Sequence, residues 1–283
     1  MNESTQTKPL DGRVAVVVGA SRGIGKGIAI ELALAGALVY AVGRTLEPRP
    51  GPAGSLSETV ATIAELGGRA MPVRCDATDD DDVEALFARV RDESGRLDIL
   101  VNAAFDTPGF RSTIDVPFWQ LPVSIWRDVV DLGTRSAYVA CVHATPLILD
   151  SGGGLIVNVS ARGAERYRYN VAYGVGKAAL DRMTRDMAHE LRDRGVAVVS
   201  VWPNTTRTEH IDAMHARGDE WAKANVGDVD KMETPRYLGR CIAALAADPG
   251  VMKRSGNRYW TAELAADYDV TDEYGRRHPI PEQ

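Results

Sequence analysis

Cysteine is scarce, with three in 283 residues: Cys75, Cys141 and Cys241. They are odd in number and far apart, so the chain offers neither a disulfide framework nor a zinc-ligand spacing. Reduced thiols in a cytoplasm are the expectation. No apolar run approaches the roughly 18 residues needed to cross a bilayer. The first ten residues are polar and lack the apolar stretch of a secretion signal. Basic residues are outnumbered, 33 against 39 acidic ones, for a formal charge of −6. No basic cluster is dense enough to suggest nucleic acid as a partner. His189-Glu190 does not open a His-Glu-x-x-His motif, because Asp193 stands four residues beyond His189. Metal, membrane and nucleic acid are therefore not expected.

Hydrophobic residues make up 45% and charged residues 25%, an ordinary globular balance that can bury a full core. We expect a loose tail over residues 1–10 and one domain over 11–283. Apolar runs alternate with helical spacing. Expected strands cover Arg13–Val18, Ala37–Val42, Ala70–Cys75, Leu97–Val101, Leu155–Val159 and Val196–Val201. Expected helices cover Ile24–Ala35, Leu56–Leu66, Asp80–Glu93, Ser124–Leu149 and Val171–Arg192, and a last strand lies within Arg254–Thr261. The pattern predicts an α/β fold, a single-domain Rossmann-like doubly wound parallel sheet with helices on both faces. Ligands of such sheets sit beyond the carboxyl ends of the strands. An insertion loop is expected at about 46–57, where prolines cluster. A substrate lid is expected at about 205–232, carrying His210, His215 and Trp221.

The first strand runs into Gly19-Ala20-Ser21-Arg22-Gly23-Ile24-Gly25 and then a helix. Glycine allows a tight turn and close approach of backbone to a pyrophosphate, and the helix aims free N–H groups at it. Further on, Tyr173 and Lys177 are four apart in a helix and share one face. A tyrosine near pKa ~10 is a poor base at neutral pH, and a nearby ammonium makes it a usable acid or base. Ser160 ends the fifth strand thirteen residues earlier, where a hydroxyl can donate to a developing oxyanion.

The glycine spacing with its Ala-Ser-Arg insert resembles the short-chain dehydrogenase/reductase family. So do Cys75-Asp76, Leu100-Val101-Asn102-Ala103-Ala104, Tyr173-Gly174-Val175-Gly176-Lys177, and Val201-Trp202-Pro203 with Thr208. Tyr-Gly-Val-Gly-Lys-Ala-Ala and the Trp126…Gly133-Thr-Arg-Ser-Ala-Tyr138 stretch are similar to the subgroup around dehydrogenase/reductase family member one and its bacterial relatives. The resemblance implies hydride transfer between a nicotinamide and a small carbonyl or alcohol substrate. It assigns catalysis to Tyr173, Lys177 and Ser160, with Asp131 where relatives place the Asn of a proton relay. It assigns cofactor binding to Gly19, Ser21, Arg22, Gly23, Ile24, Gly25, Arg44, Asp76, Ala77, Asn102, Ala103, Tyr173, Lys177, Pro203 and Thr208. Phe105, Arg162 and Tyr167 would border the substrate. Gly43 stands where NAD enzymes of the family tend to place Asp, and Arg44 and Arg22 can hold a 2′-phosphate, so the expected cofactor is NADP(H). The resemblance also implies a homodimer or homotetramer. The alternative is a non-redox or cofactor-sensing protein on the same fold, which Asp131, Phe105 and Asn204 keep open.

Overall fold

In the computed structural model, residues 7–50, 54–105, 110–220, 222 and 227–281 are described. Trp221 lies outside them. Seven strands pair in parallel: β1 (Val14–Val18), β2 (Leu38–Gly43), β3 (Arg69–Arg74), β4 (Ile99–Asn102), β5 (Gly154–Val159), β6 (Val196–Trp202) and β7 (Arg258–Trp260). Their order is β3-β2-β1-β4-β5-β6-β7. The winding reverses between β1 and β4, which opens a crevice at the carboxyl ends of those strands.

β1 explains why the sheet is sandwiched. All five residues of Val-Ala-Val-Val-Val are buried. With a side-chain period of two, Ala15 and Val17 face one core layer, and Val14, Val16 and Val18 face the other. The first layer is closed by α1 (Gly23–Leu34), α2 (Leu56–Glu65), and two helices from the C-terminal part, α8 (Pro235–Ala247) and α9 (Thr261–Asp267). The second is closed by α3 (Asp80–Ser94), α5 (Ser136–Asp150) and α6 (Val171–Leu191). α1 and α8 pack backbone to backbone. A Cβ on Gly27 would meet the carbonyl carbon of Pro235 at 2.3 Å, and one on Gly239 would meet the Gly27 oxygen at 2.5 Å.

Four sequence expectations need correction. Leu10 is buried in the core and its N–H donates to the Ala35 carbonyl, so the chain is anchored before residue 11. Leu56 and Ser57 belong to α2, capped by the Ser55 hydroxyl; the insertion loop is shorter than 46–57. The helix expected over Ser124–Leu149 is not uniform. It begins as α4 (Ser124–Trp126), widens into a π-helix over Arg127–Arg135, and returns to α-helix in α5. An apolar period cannot distinguish these windings, since both bury one stripe. Within Arg254–Thr261 only Arg258–Trp260 is strand. The lid region contributes α7 (Glu209–Ala216) and is tied down by a bridge from Thr206 to Glu233. No helix among the described residues is long and apolar enough to cross a membrane.

Candidate active site

One cavity of about 660 Å³ opens at the carboxyl ends of β1 and β4. Its volume lies in the range of small-molecule and cofactor sites. One wall is the β1–α1 turn, with Gly19, Ser21, Arg22, Gly23, Ile24 and Gly25. The turn depends on its missing side chains. A Cβ on Gly25 would lie 2.1 Å from the Gly19 oxygen, and one on Gly19 would lie 2.8 Å from the Ala103 backbone. Gly43, Arg44, Thr45, Cys75 and Ala77 form the next wall, followed by Ala103, Ala104 and Phe105. Thr205, Thr206 and Thr208, just before α7, close it on the remaining side.

The first N–H of α1 already holds an anion. Gly23 N–H donates to Glu209 Oε2 at 2.8 Å, and no side chain of the N-cap residue Arg22 competes for it. A helix N-terminus that binds a carboxylate is chemically equipped for a phosphate oxygen. The turn and this N–H group therefore fit a dinucleotide pyrophosphate, and Arg22 and Arg44 line the same cavity.

Tyr173 sits in the first turn of α6, which is capped by Asn170: its Oδ1 accepts from Tyr173 N–H at 2.9 Å. The ring lines the cavity and is only 8% exposed. Three neighbours fix it. Phe105 meets it edge-on at 5.9 Å, Tyr169 edge-on at 5.1 Å, and Gly163 packs closely against it. A Cβ on Gly163 would come within 2.5 Å of Tyr173 Cε1. Burial raises the phenol above its ordinary pKa, Tyr169 adds to this, and Arg168 opposes it.

Lys177 lies one turn below. Its ammonium is 5.9 Å from the Tyr173 ring centre and 5.3 Å from that of Phe105, and it donates to the Val159 carbonyl at 3.1 Å. Desolvation brings its pKa down to about 8, against the pull of Asp181. The charge facing Lys177 is thus Asp181, one further turn along α6, not Asp131. The Asp181 carboxylate accepts from Ser200 Oγ at 2.6 Å and Trp202 Nε1 at 3.1 Å. Asp131 lies on the π-helical stretch, its charge acts on Arg135, and its backbone oxygen accepts from Ser136 N–H. Lys177 thus stands beside the Tyr173 ring as the helical spacing predicts, and Arg168 is a second cation acting on the phenol.

Other expected residues are close but not on the wall. Ser160 is 1% exposed, and its hydroxyl donates to the Lys177 carbonyl at 3.1 Å. Asn102 is buried, with Nδ2 donating to Asn158 Oδ1. The Asp76 carboxylate accepts from Thr78. Pro203 and Arg162 also stand outside the cavity lining, whereas Tyr167 and His210 are in it. His215 does not line it.

Sequence reasoning missed Glu209, Gly163, Asp181 and Glu233. Glu233 is almost fully buried and staples the 204–207 segment. Its Oε2 accepts from Asn204 N–H at 3.1 Å, its N–H donates to the Thr205 oxygen, and its oxygen accepts from Arg207 N–H. Oε1 has no hydrogen-bond partner among the described residues. Burial pushes the carboxyl up to about 7, opposed by the Asn204 and Thr261 donors. The Glu209 and Glu233 contacts join residues 186 and 29 positions apart and leave no local signal, whereas Asp181 stands one helical turn after Lys177, a spacing the sequence does show. No group of metal-ligating side chains occurs among the described residues.

The family model for short chain dehydrogenases matches residues 13–218. Dehydrogenase/reductase SDR family member 1 of Mus musculus is 42% identical over 274 residues, spanning 95% of this chain and 85% of that protein. Cis-4-hydroxycyclohexanecarboxylate dehydrogenase of Sinomonas cyclohexanicum is 32% identical over 83% of this chain and 90% of its own. The structure of 7α-hydroxysteroid dehydrogenase complexed with NADH and 7-oxo glycochenodeoxycholic acid superposes with a TM-score of 0.73 at 27% identity, covering 92% of this chain and 96% of that one. The doubly wound sheet, the glycine turn at its crevice and these likenesses agree: the chain belongs to the short-chain dehydrogenase/reductase family, in the subgroup of SDR family member 1.

Proposed function

We propose that this oxidoreductase is NADP(H)-dependent and moves hydride between the nicotinamide and a carbonyl or alcohol substrate, with Tyr173 as the general acid/base. The observation that carries this reading is the shared cavity. The Tyr173 phenol and the α1 N-terminus line one crevice, so a cofactor seated on the turn extends toward the phenol. When bound, the nicotinamide supplies or accepts the hydride. The chain handles the proton.

A phenol whose pKa is raised by burial keeps its proton at neutral pH. That is the form needed to protonate a carbonyl oxygen as it gains negative charge. Lys177, brought down to about 8, sits one turn away and can exchange a proton near neutrality. Ser160 would act as oxyanion donor by turning its hydroxyl from the Lys177 carbonyl toward the cavity. Phe105 roofs the ammonium and keeps water from it.

NADP(H) rather than NAD(H) is supported by the β2 end. Gly43 provides no carboxylate for the ribose hydroxyls, and Arg44 beside it and Arg22 across the cavity provide cations. The solved relative that carries NADH does not decide this point for the chain. The test is direct: affinities for NADPH and NADH, then turnover of a ketone and aldehyde panel. Tighter NADPH binding with carbonyl-dependent NADPH oxidation is expected. Tighter NADH binding would overturn the cofactor assignment, and NADPH binding without turnover of any carbonyl would favour a cofactor-sensing role.

Association into a homodimer or homotetramer is part of the same reading. Tyr138, Val142 and Leu149 on α5 and Val171 and Val175 on α6 are exposed apolar side chains, a surface suited to a second copy.

A further inference from the structure

Of the charged side chains at the cavity, Arg168 has no role in the scheme above. Its guanidinium lines the cavity and lies 4.8 Å over the Tyr169 ring, which in turn abuts Tyr173. Arg207, Arg258 and Arg276 are committed to carboxylates, Arg207 to Asp212 and Asp230, Arg258 to Glu165 and Glu263, Arg276 to Asp272, and Arg22 and Arg44 stand at the dinucleotide end of the cavity. No carboxylate among the described residues lies within ion-pair range of Arg168.

The backbone that presents it is specialised. Tyr169 has φ +66° and Asp115 has φ +60°, the left-handed region that non-glycine residues seldom enter. Both residues line the cavity, and Asp115 N–H donates to the Tyr169 carbonyl at 3.2 Å. Asn170 Nδ2 donates to Thr113 Oγ1 at 2.9 Å and locks the same two segments together. Unfavourable backbone held in place by cross-links is typical of ligand clamps. The floor beside the clamp is apolar, with Phe105, Ile114, Leu132, Ile211 and Met214.

We propose that the substrate is an oxo or hydroxy acid whose carboxylate is held by Arg168 while its apolar body lies on this floor and its carbonyl or hydroxyl meets Tyr173. The proposal rests on the hydride-transfer reading and names its substrate class. A guanidinium is the fitting receptor for a carboxylate, since its planar donors match both oxygens. Asp115 also lines the mouth; of these two charges, it is Arg168 that acts on the Tyr173 phenol. A substrate carboxylate on Arg168 would cancel that charge and help the phenol keep its proton, the state a reduction uses. The reaction balances simply: the nicotinamide C–H bond breaks, a C–H bond forms at the carbonyl carbon, and the carbonyl oxygen takes the phenol proton.

The test uses NADPH and ketones matched as carboxylate and methyl ester, ring and open-chain, with the acid group two to six bonds from the carbonyl. In at least one pair the acid should exceed its ester by about tenfold or more in kcat/KM, the size of one charge-assisted hydrogen-bonded pair. The acid-to-ester ratio should fall to about one in Arg168→Ala and recover in part in Arg168→Lys. Esters reduced as well as acids throughout, or a ratio untouched by Arg168→Ala, would overturn the proposal and leave hydride transfer standing. Reduction of neither form in any pair would remove both.

Discussion

Gly23 N–H and Glu209 Oε2 are hydrogen-bonded at 2.8 Å across 186 residues of chain. Glu209 opens α7, and its carboxylate rests on the N-terminus of the helix that follows the glycine turn. We propose that a cofactor phosphate takes this N–H and displaces the carboxylate.

Removing the competing anion should tighten the cofactor. Glu209→Ala is expected to lower the Kd for NADPH by about threefold to tenfold, the range of one charge at a helix N-terminus. A fluorescence titration reads this. Unchanged or weaker binding would mean that Glu209 does not stand in the cofactor's place.

The β2 end should set the dinucleotide. A Cβ built on Gly43 meets Leu56 at 3.5 Å and Ser21 at 3.7 Å, ordinary contacts that leave room for a side chain. Gly43→Asp is expected to fold normally and to shift the ratio of NADPH to NADH affinity toward NADH by at least about tenfold, by repelling a 2′-phosphate and accepting from ribose hydroxyls. Competition titrations of the two dinucleotides check this, and an unchanged ratio would place the selectivity elsewhere.

Gly163 should matter through Tyr173. The Cβ of an alanine would lie 2.5 Å from the ring, so the phenol must shift. Gly163→Ala is expected to cut kcat by about tenfold to a hundredfold, since displacements of this order spoil alignment. NADPH affinity should move far less. Steady-state kinetics and a dinucleotide titration on the same preparation separate the two effects.

How far the sequence reveals this molecule depends on the range of the interactions involved. Val14–Val18 reads as a buried strand because its apolar content is local, and Tyr173 with Lys177 reads as a pair because helical spacing is local. α8 escaped detection: its Pro235 and Gly239 make sense only against Gly27 of α1, more than 200 positions away. The family resemblance puts Asp131 at the lysine, but the helix winds as a π-helix there, and Asp181 faces Lys177. Gly163 and Glu209 act through single close contacts that leave no pattern in composition or period.

Glu233 should make stability depend on pH. Its carboxyl is raised from 4.5 to about 7 in the folded chain. The folded state then binds the proton more tightly than the unfolded state, so its contribution is complete below the unfolded value and is lost as pH rises through about 7. At pH 8 the buried carboxylate costs on the order of 3 kcal/mol at most. Glu233→Gln retains an acceptor for Asn204 N–H and is expected to raise Tm at pH 8 but hardly at pH 5. A gain of the same size at both values would show that ionisation is not the cause.

Tyr173 is the group proposed to give and take the proton in an NADP(H) enzyme. Single-turnover oxidation of bound NADPH by a reducible ketone, compared between the native chain and Tyr173→Phe, tests it most directly. The expected result is a rate lower by about a hundredfold or more in Tyr173→Phe, with the NADPH Kd within about threefold of the native value. Hydride transfer at the native rate without the phenol oxygen would contradict the account.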